Sequence, residues 1–194
     1  NLLSGNDSEN FKDNLKIINN QIKQIENLVN EFSDFARMPK PTLRENNIVI
    51  LLKENIKLLK ELDNSIEIGL SISSEQITLN SDREQVSRVF LNLIKNSIES
   101  IQQKAEKESK FNKNITIELN DNDGHISVVI MDSGIGFSKF SSNIKDILNP
   151  YFTTKKNGSG LGLSIVNKIV NDHNGKIEFI SIEGGAKVKL NFIK

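Results

Sequence analysis

The chain has 194 residues, 25 Lys+Arg against 25 Asp+Glu, and no cysteine. The length suits one globular domain with an appendage, the neutral charge offers no general attraction to nucleic acid or anionic lipid, and the lack of cysteine excludes disulfides, thiolate metal sites and cysteine nucleophiles. Two histidines are too few for a His-rich metal site, no apolar run is long enough to span a bilayer, and no signal-peptide pattern opens the chain.

The chain begins at Asn1 rather than Met, and a fragment or processed product is expected. Its first element is a helix. Phe11, Leu15, Ile18, Ile22, Ile25, Val29, Phe32 and Ala36 follow a 4,3 spacing, the a/d pattern of a 3.5-residue period. Asp7 or Ser8 is the expected N-cap. Pro39 and Pro41 end the helix, because the residue before proline avoids the helical region. One helix cannot bury such a seam alone, so partner helices are expected, from a second copy or from sequence outside the chain. The alternative is an amphipathic helix lying on its own domain.

Residues 41–47 read as a polar linker. Residues 50–62 read as a helix, and 66–73 and 77–80 as strands with alternating apolar positions. Asp82 caps a long helix over about 83–104. Residues 113–121 and 125–132 read as a hairpin around Asn122-Asp123-Gly124. Residues 133–159 have the composition of a mobile loop, 161–173 are helical, and two closing strands flank Glu183-Gly184-Gly185. The order is a helix (1–40), a linker, then an α/β layered domain (48–194).

Three stretches carry the chemistry. On the helix after Asp82, an apolar face of Val86, Val89, Phe90, Leu93, Ile94, Ser97 and Ile101 is edged by Gln85, Asn92, Asn96 and Glu99. Asn92 and Asn96 lie one turn apart and point the same way. Amide oxygens there can ligate a hard cation such as Mg²⁺, or be ordinary amides in an Asn-rich chain. In MDSGIGF, a strand ends at Asp132 and is followed by Gly134 and Gly136. A carboxylate there can accept a hydrogen bond from an exocyclic amine, or close its own Asx-turn. In NPYFTTKKNGSGLGLSIV, Gly158, Gly160 and Gly162 lead into a helix whose N-terminal N–H groups suit a phosphate chain. Thr153, Thr154 and Lys155 precede them; the plain alternative is a flexible loop and a helix start.

In this order the stretches resemble the N, G1, F and G2 boxes of the GHKL ATPase superfamily, which includes sensor histidine kinases, gyrase-type topoisomerases, Hsp90 and MutL. NPYFTTK followed by GSGLGLSIV is similar to the kinase branch. VNEFSDFARMPKP (29–41) resembles the end of the second dimerisation helix of NtrY/NtrB-type nitrogen-regulation kinases, nearest NtrY. The resemblance implies an α+β fold: a two-layer sandwich, its mixed sheet covered on one face by helices, behind one long dimerisation helix. It implies a homodimer through that helix, ATP and Mg²⁺ as ligands and a response regulator as partner. It places the chain in the cytoplasm, with any inner-membrane anchor outside it.

Residue by residue, the resemblance implies that Asn96 would ligate Mg²⁺ with Asn92 beside the phosphates. Asp132 would bind the adenine amine, with Gly134 and Gly136 shaping the pocket. Thr154, Lys155, Gly158, Gly160, Leu161 and Gly162 would belong to the phosphate side and to an ATP lid over about 137–159, with Phe152 as its apolar anchor. The topoisomerase and chaperone branches carry a water-activating Glu where this chain has Asn92, which favours phosphoryl transfer over hydrolysis. One departure stands out: the kinases carry a phosphoacceptor His beside a Glu on the first dimerisation helix. Here only His125 and His173 exist, near a turn and a helix end, and both read as structural. No catalytic residue is therefore assigned within the chain, and the acceptor helix is expected upstream of it. The alternatives are a GHKL ATPase of another branch, or a non-catalytic dimerisation or nucleotide-binding module.

Overall fold

In a computed structural model of the chain, residues 4–61, 63–108, 110–122, 124–137, 144–153, 155 and 158–194 are described. Helix α1 spans Ser4–Ala36. It starts upstream of Asp7 and Ser8, so neither is its cap; once a helix is nucleated, another turn costs little. It stops short of Met38-Pro39, as the proline requires. Its seam lies on the surface, with Phe11, Ile22 and Ile25 each more than half exposed.

The expected linker is partly a strand. β1 (Arg44–Asn47) pairs antiparallel with β3 (Thr78–Ser81). RENN has no apolar alternation, and its extended form comes from tertiary pairing rather than propensity. The Asn46 amide donates to the Ser81 carbonyl at 2.7 Å. Asn47 then caps α2 (Ile48–Lys60), accepting from the Val49 N–H at 2.9 Å.

β2 (Glu67–Ile72), β4 (Asn114–Asn122), β5 (His125–Asp132), β7 (Gly185–Ile193) and β6 (Lys176–Ile182) form one sheet in the order β2-β4-β5-β7-β6. β2 and β4 run parallel and the other pairs antiparallel, so the sheet is mixed. The hairpin between β4 and β5 closes with Asn122 opposite His125, while Asp123 lies outside the described residues. Inside the stretch expected to be loop, Ile144–Leu148 makes a 3₁₀ turn.

α3 (Arg83–Ala105) and α4 (Gly162–Asp172) join α2 on one face of the sheet. Ile115, Ile117 and Leu119 of β4 and Leu190 and Phe192 of β7 point into this layer. The intervening Thr116, Glu118, Lys189 and Asn191 are half-buried on the other face, the alternation of a sheet covered on one side. α3 is capped as its sequence requires, with the Asp82 carboxylate accepting from the Gln85 N–H at 3.1 Å. This packing sets the polar edge of α3 beside the end of β5.

Candidate functional site

One cleft of about 460 Å³ opens between α3, the end of β5 and the segment entering α4. α3 contributes Asn92, Asn96 and Glu99; β5 contributes Asp132 and, past its end, Gly136; the third side brings Lys155, Gly158, Gly160 and Gly162. Residues spread over seventy positions of sequence thus converge, in the grouping their types suggested.

Asp132 is 8% exposed. Its Oδ1 accepts from the Gly134 N–H at 2.9 Å, and its Oδ2 from the Ser97 hydroxyl at 3.1 Å. The Asx-turn and the cleft-lining carboxylate are therefore both present. Burial pushes the Asp132 carboxyl above its ordinary range, opposed by the N–H of Gly134, the Ser97 hydroxyl, the N–H of Ala186 and the Lys104 charge. Ser97 counts among the apolar face of α3 by spacing. A serine among buried aliphatics is itself a signal of a polar partner.

Gly134 does not line the cleft. A Cβ there would sit 2.1 Å from the Ser100 Oγ, so the turn packs directly on α3. The Ile135 N–H donates to the same hydroxyl at 3.1 Å. Gly136 does line the cleft, next to Phe137, which meets Phe179 edge-on at 5.5 Å.

On the third side, Gly160 has φ +70°, and a Cβ there would lie 2.4 Å from the Tyr151 carbonyl carbon. Only glycine fits that approach. Leu161 is fully buried and faces the core instead of the cleft; its N–H donates to Ser159 Oγ at 3.2 Å. Thr154 lies outside the described residues, while Thr153 and Phe152 line the cleft. α4 begins without a side-chain cap, and Gly162 and Leu163 of its first turn face the cleft. The unpaired N–H groups and positive dipole end of that turn suit an anion.

Asn92 donates to the Arg88 carbonyl at 2.9 Å, and its Oδ1 faces Gly162, where a Cβ would stand 3.3 Å away. Asn96 Oδ1 accepts from Lys155 Nζ at 2.7 Å, and the same ammonium pairs with Glu99. The Asn96 oxygen thus presents its lone pairs to a cation inside the cleft, which is what an oxygen-preferring divalent ion needs. No group of three His, Cys, Asp or Glu suited to a metal occurs among the described residues. A cation here would therefore rely on Asn96 together with ligand oxygens. Gln85 leaves the expected polar edge: it is buried and donates to the Pro39 carbonyl at 3.0 Å.

Both histidines lie away from the cleft. His173 is buried; its Nε2 accepts from the Asp82 N–H at 2.9 Å, and Nδ1 meets the Ile169 carbonyl at 2.8 Å. A neutral ring protonated on Nδ1 satisfies both contacts. His125 opens β5 and is exposed.

A family model described as histidine kinase-, DNA gyrase B-, and HSP90-like ATPase matches residues 81–194. The chain belongs to that ATPase family. A Rickettsia felis protein named as NtrY-like sensor histidine kinase is 33% identical over 187 residues, covering 96% of this chain and 30% of that protein. Nitrogen regulation protein NtrY of Azorhizobium caulinodans is 31% identical over 172 residues, 89% of this chain and 22% of its own length. The chain therefore spans less than a third of these relatives. The catalytic domain of histidine kinase ThkA superposes with a TM-score of 0.67 at 29% identity, over 78% of this chain and 95% of that domain. Family membership carries ATP binding with it.

Proposed function

We propose that this chain is the ATP-binding catalytic portion of a two-component sensor histidine kinase. The γ-phosphoryl group of ATP goes to a His on a segment outside these 194 residues, and from there to an Asp of a response regulator. The observation that carries this reading is the single cleft shared by Asn92, Asn96, Asp132, Lys155 and the glycines before α4. A complex of ThkA with response regulator protein TrrA has the same fold, with a TM-score of 0.73 at 24% identity over 92% of this chain and 49% of that one.

In this reading Asp132 orients adenine through its exocyclic amine. The first-turn N–H groups of α4 and Lys155 hold the phosphates. Asn96 would hold Mg²⁺, which would supply charge neutralisation at the phosphates. Phe137 and Phe152 give the cleft apolar walls. The chain's contribution is positioning and electrostatics rather than covalent chemistry. Asn92, in the place of a water-activating carboxylate, favours transfer over hydrolysis. The exposed seam of α1 serves homodimerisation together with the acceptor helix. No helix among the described residues is long and apolar enough to cross a membrane. In this reading the portion lies in the cytoplasm, and any inner-membrane anchor belongs to other segments. In this reading neither His125 nor His173 serves as the acceptor, and the chain alone should not label itself with radiolabelled ATP.

Calorimetry tests the site. Asn96→Ala should lose the Mg²⁺ dependence of ADP binding, and Asp132→Ala the preference for ADP over GDP. Unchanged binding in both variants overturns the assignment.

A further inference from the structure

The nucleotide-site reading leaves Glu99 without a task. Asn96 and Glu99 are three residues apart on α3, hence neighbours on one helix face. Both are held by the ammonium of Lys155, 59 and 56 residues further along the chain. Lys95 also approaches Glu99, but at 3.9 Å and with its side chain 61% exposed. Lys155 and Glu99 are each only 32% exposed, so water and salt screen this pair less than an ordinary surface pair.

The oxygen that Lys155 takes on Asn96 is the one oriented for a divalent cation. An ammonium and a divalent cation cannot share one neutral amide oxygen, because their mutual repulsion is uncompensated at that distance. Occupation of Asn96 is therefore exclusive. Glu99 is different: it can keep the lysine whether or not Asn96 is engaged.

We propose that Glu99 is a positioning residue of the nucleotide site that anchors Lys155 across the cleft. Without nucleotide, the pair latches the segment before α4 onto Asn96. When a metal–nucleotide enters, Lys155 gives up Asn96 and Glu99 retains it at the phosphate end. This inference rests on the nucleotide-site reading, and the experiment separates the two.

Amide hydrogen exchange in the nucleotide-free chain reads the latch directly. The amides of Tyr151 and Gly158 donate to Gly160 and Lys155 carbonyls and report local opening. Glu99→Gln should speed their exchange about three- to tenfold, the gain expected from losing one charge-assisted contact, and Lys155→Gln, which also loses Asn96, at least as much. The double variant should match Lys155→Gln alone, and Glu99→Lys with Lys155→Glu should restore protection. Unchanged exchange at Ile130, in the middle of β5, verifies folding. Wild-type lid exchange in Glu99→Gln, or additive effects in the double variant, overturns the role of Glu99. Calorimetry with ADP and Mg²⁺ on the same proteins is the second arm. No binding by the unaltered chain overturns the nucleotide-site reading, and with it the role given to Glu99. Intact binding with an unaltered lid in Glu99→Gln overturns the latch alone.

Discussion

α1 and α3 are long amphipathic helices of 33 and 23 residues, and they end in opposite environments. Val86, Val89, Phe90, Ile94 and Ile101 of α3 are completely buried, whereas Phe11, Ile18, Ile22 and Ile25 of α1 are all more than half exposed. The two patterns differ in width. The apolar residues of α3 spread over a broad face that meets the sheet and both neighbouring helices. Those of α1 form a 3.5-residue seam, widened by Ile17 and Leu28 and otherwise flanked by Lys, Asn and Gln. Its C-terminal end meets the rest of the chain, with Phe35 against the core and Phe32 stacked on Tyr151 at 6.5 Å. An apolar stripe thus says that a helix has a partner, and its width says whether that partner is a core or another helix.

The largest effect should separate these helices most cleanly. Ile94→Ala is expected to cost about 3–4 kcal/mol in urea unfolding, from lost burial and the cavity left behind. Ile22→Ala should stay within about 0.5 kcal/mol of the unaltered chain in the same assay, as exposed substitutions do. Equal losses would mean that α1 is buried in cis after all.

Self-association sharpens the comparison from the other side. Ile22→Asp with Ile25→Asp should weaken association in sedimentation at least about tenfold, roughly 1.4 kcal/mol. A strict monomer at high concentration, with its seam still exposed, would break the pairing role of α1.

Two aspartates beside α3 extend the contrast to electrostatics. Burial works to raise the Asp82 carboxyl, but the N–H groups of Gln85, Thr42 and Glu84 outweigh it and hold it below its ordinary value. Its folded pKa is below the unfolded one, so its contribution is present above about pH 4 and is lost as pH falls through the folded value. Asp82→Ala should cost about 1 kcal/mol at pH 7 and flatten the acid limb of stability against pH.

Asp132 has the opposite sign and the smallest effect. Its folded pKa is raised, so its contribution is full below about pH 4 and is lost as pH rises through the folded value. The ionised form is a net cost at neutral pH. Asp132→Asn keeps the contacts to Ser97 and Gly134 and should slightly raise stability at pH 7 while adenine preference falls. A loss of stability instead would make Asp132 a structural group like Asp82.

Much of this protein was legible from local pattern. The heptad seam, the Asp82 cap, the alternating strands, the Asp132 turn and the glycines before α4 are short-range signals, each contained within a few turns of chain. They were enough to bring out the family resemblance and most of the cleft. What the tertiary structure alone decided depends on contacts between distant residues. RENN is a strand because β3 lies beside it, more than thirty residues away. Gly134 packs on Ser100 while Gly136 faces the cleft, a difference that two glycines in one turn do not announce. Ser97 reaches Asp132 across 35 residues, and Lys155 reaches Glu99 across 56. Local sequence sets backbone preference and the period of the apolar face. Which faces meet follows from the strand order β2-β4-β5-β7-β6, and no window of sequence contains that order.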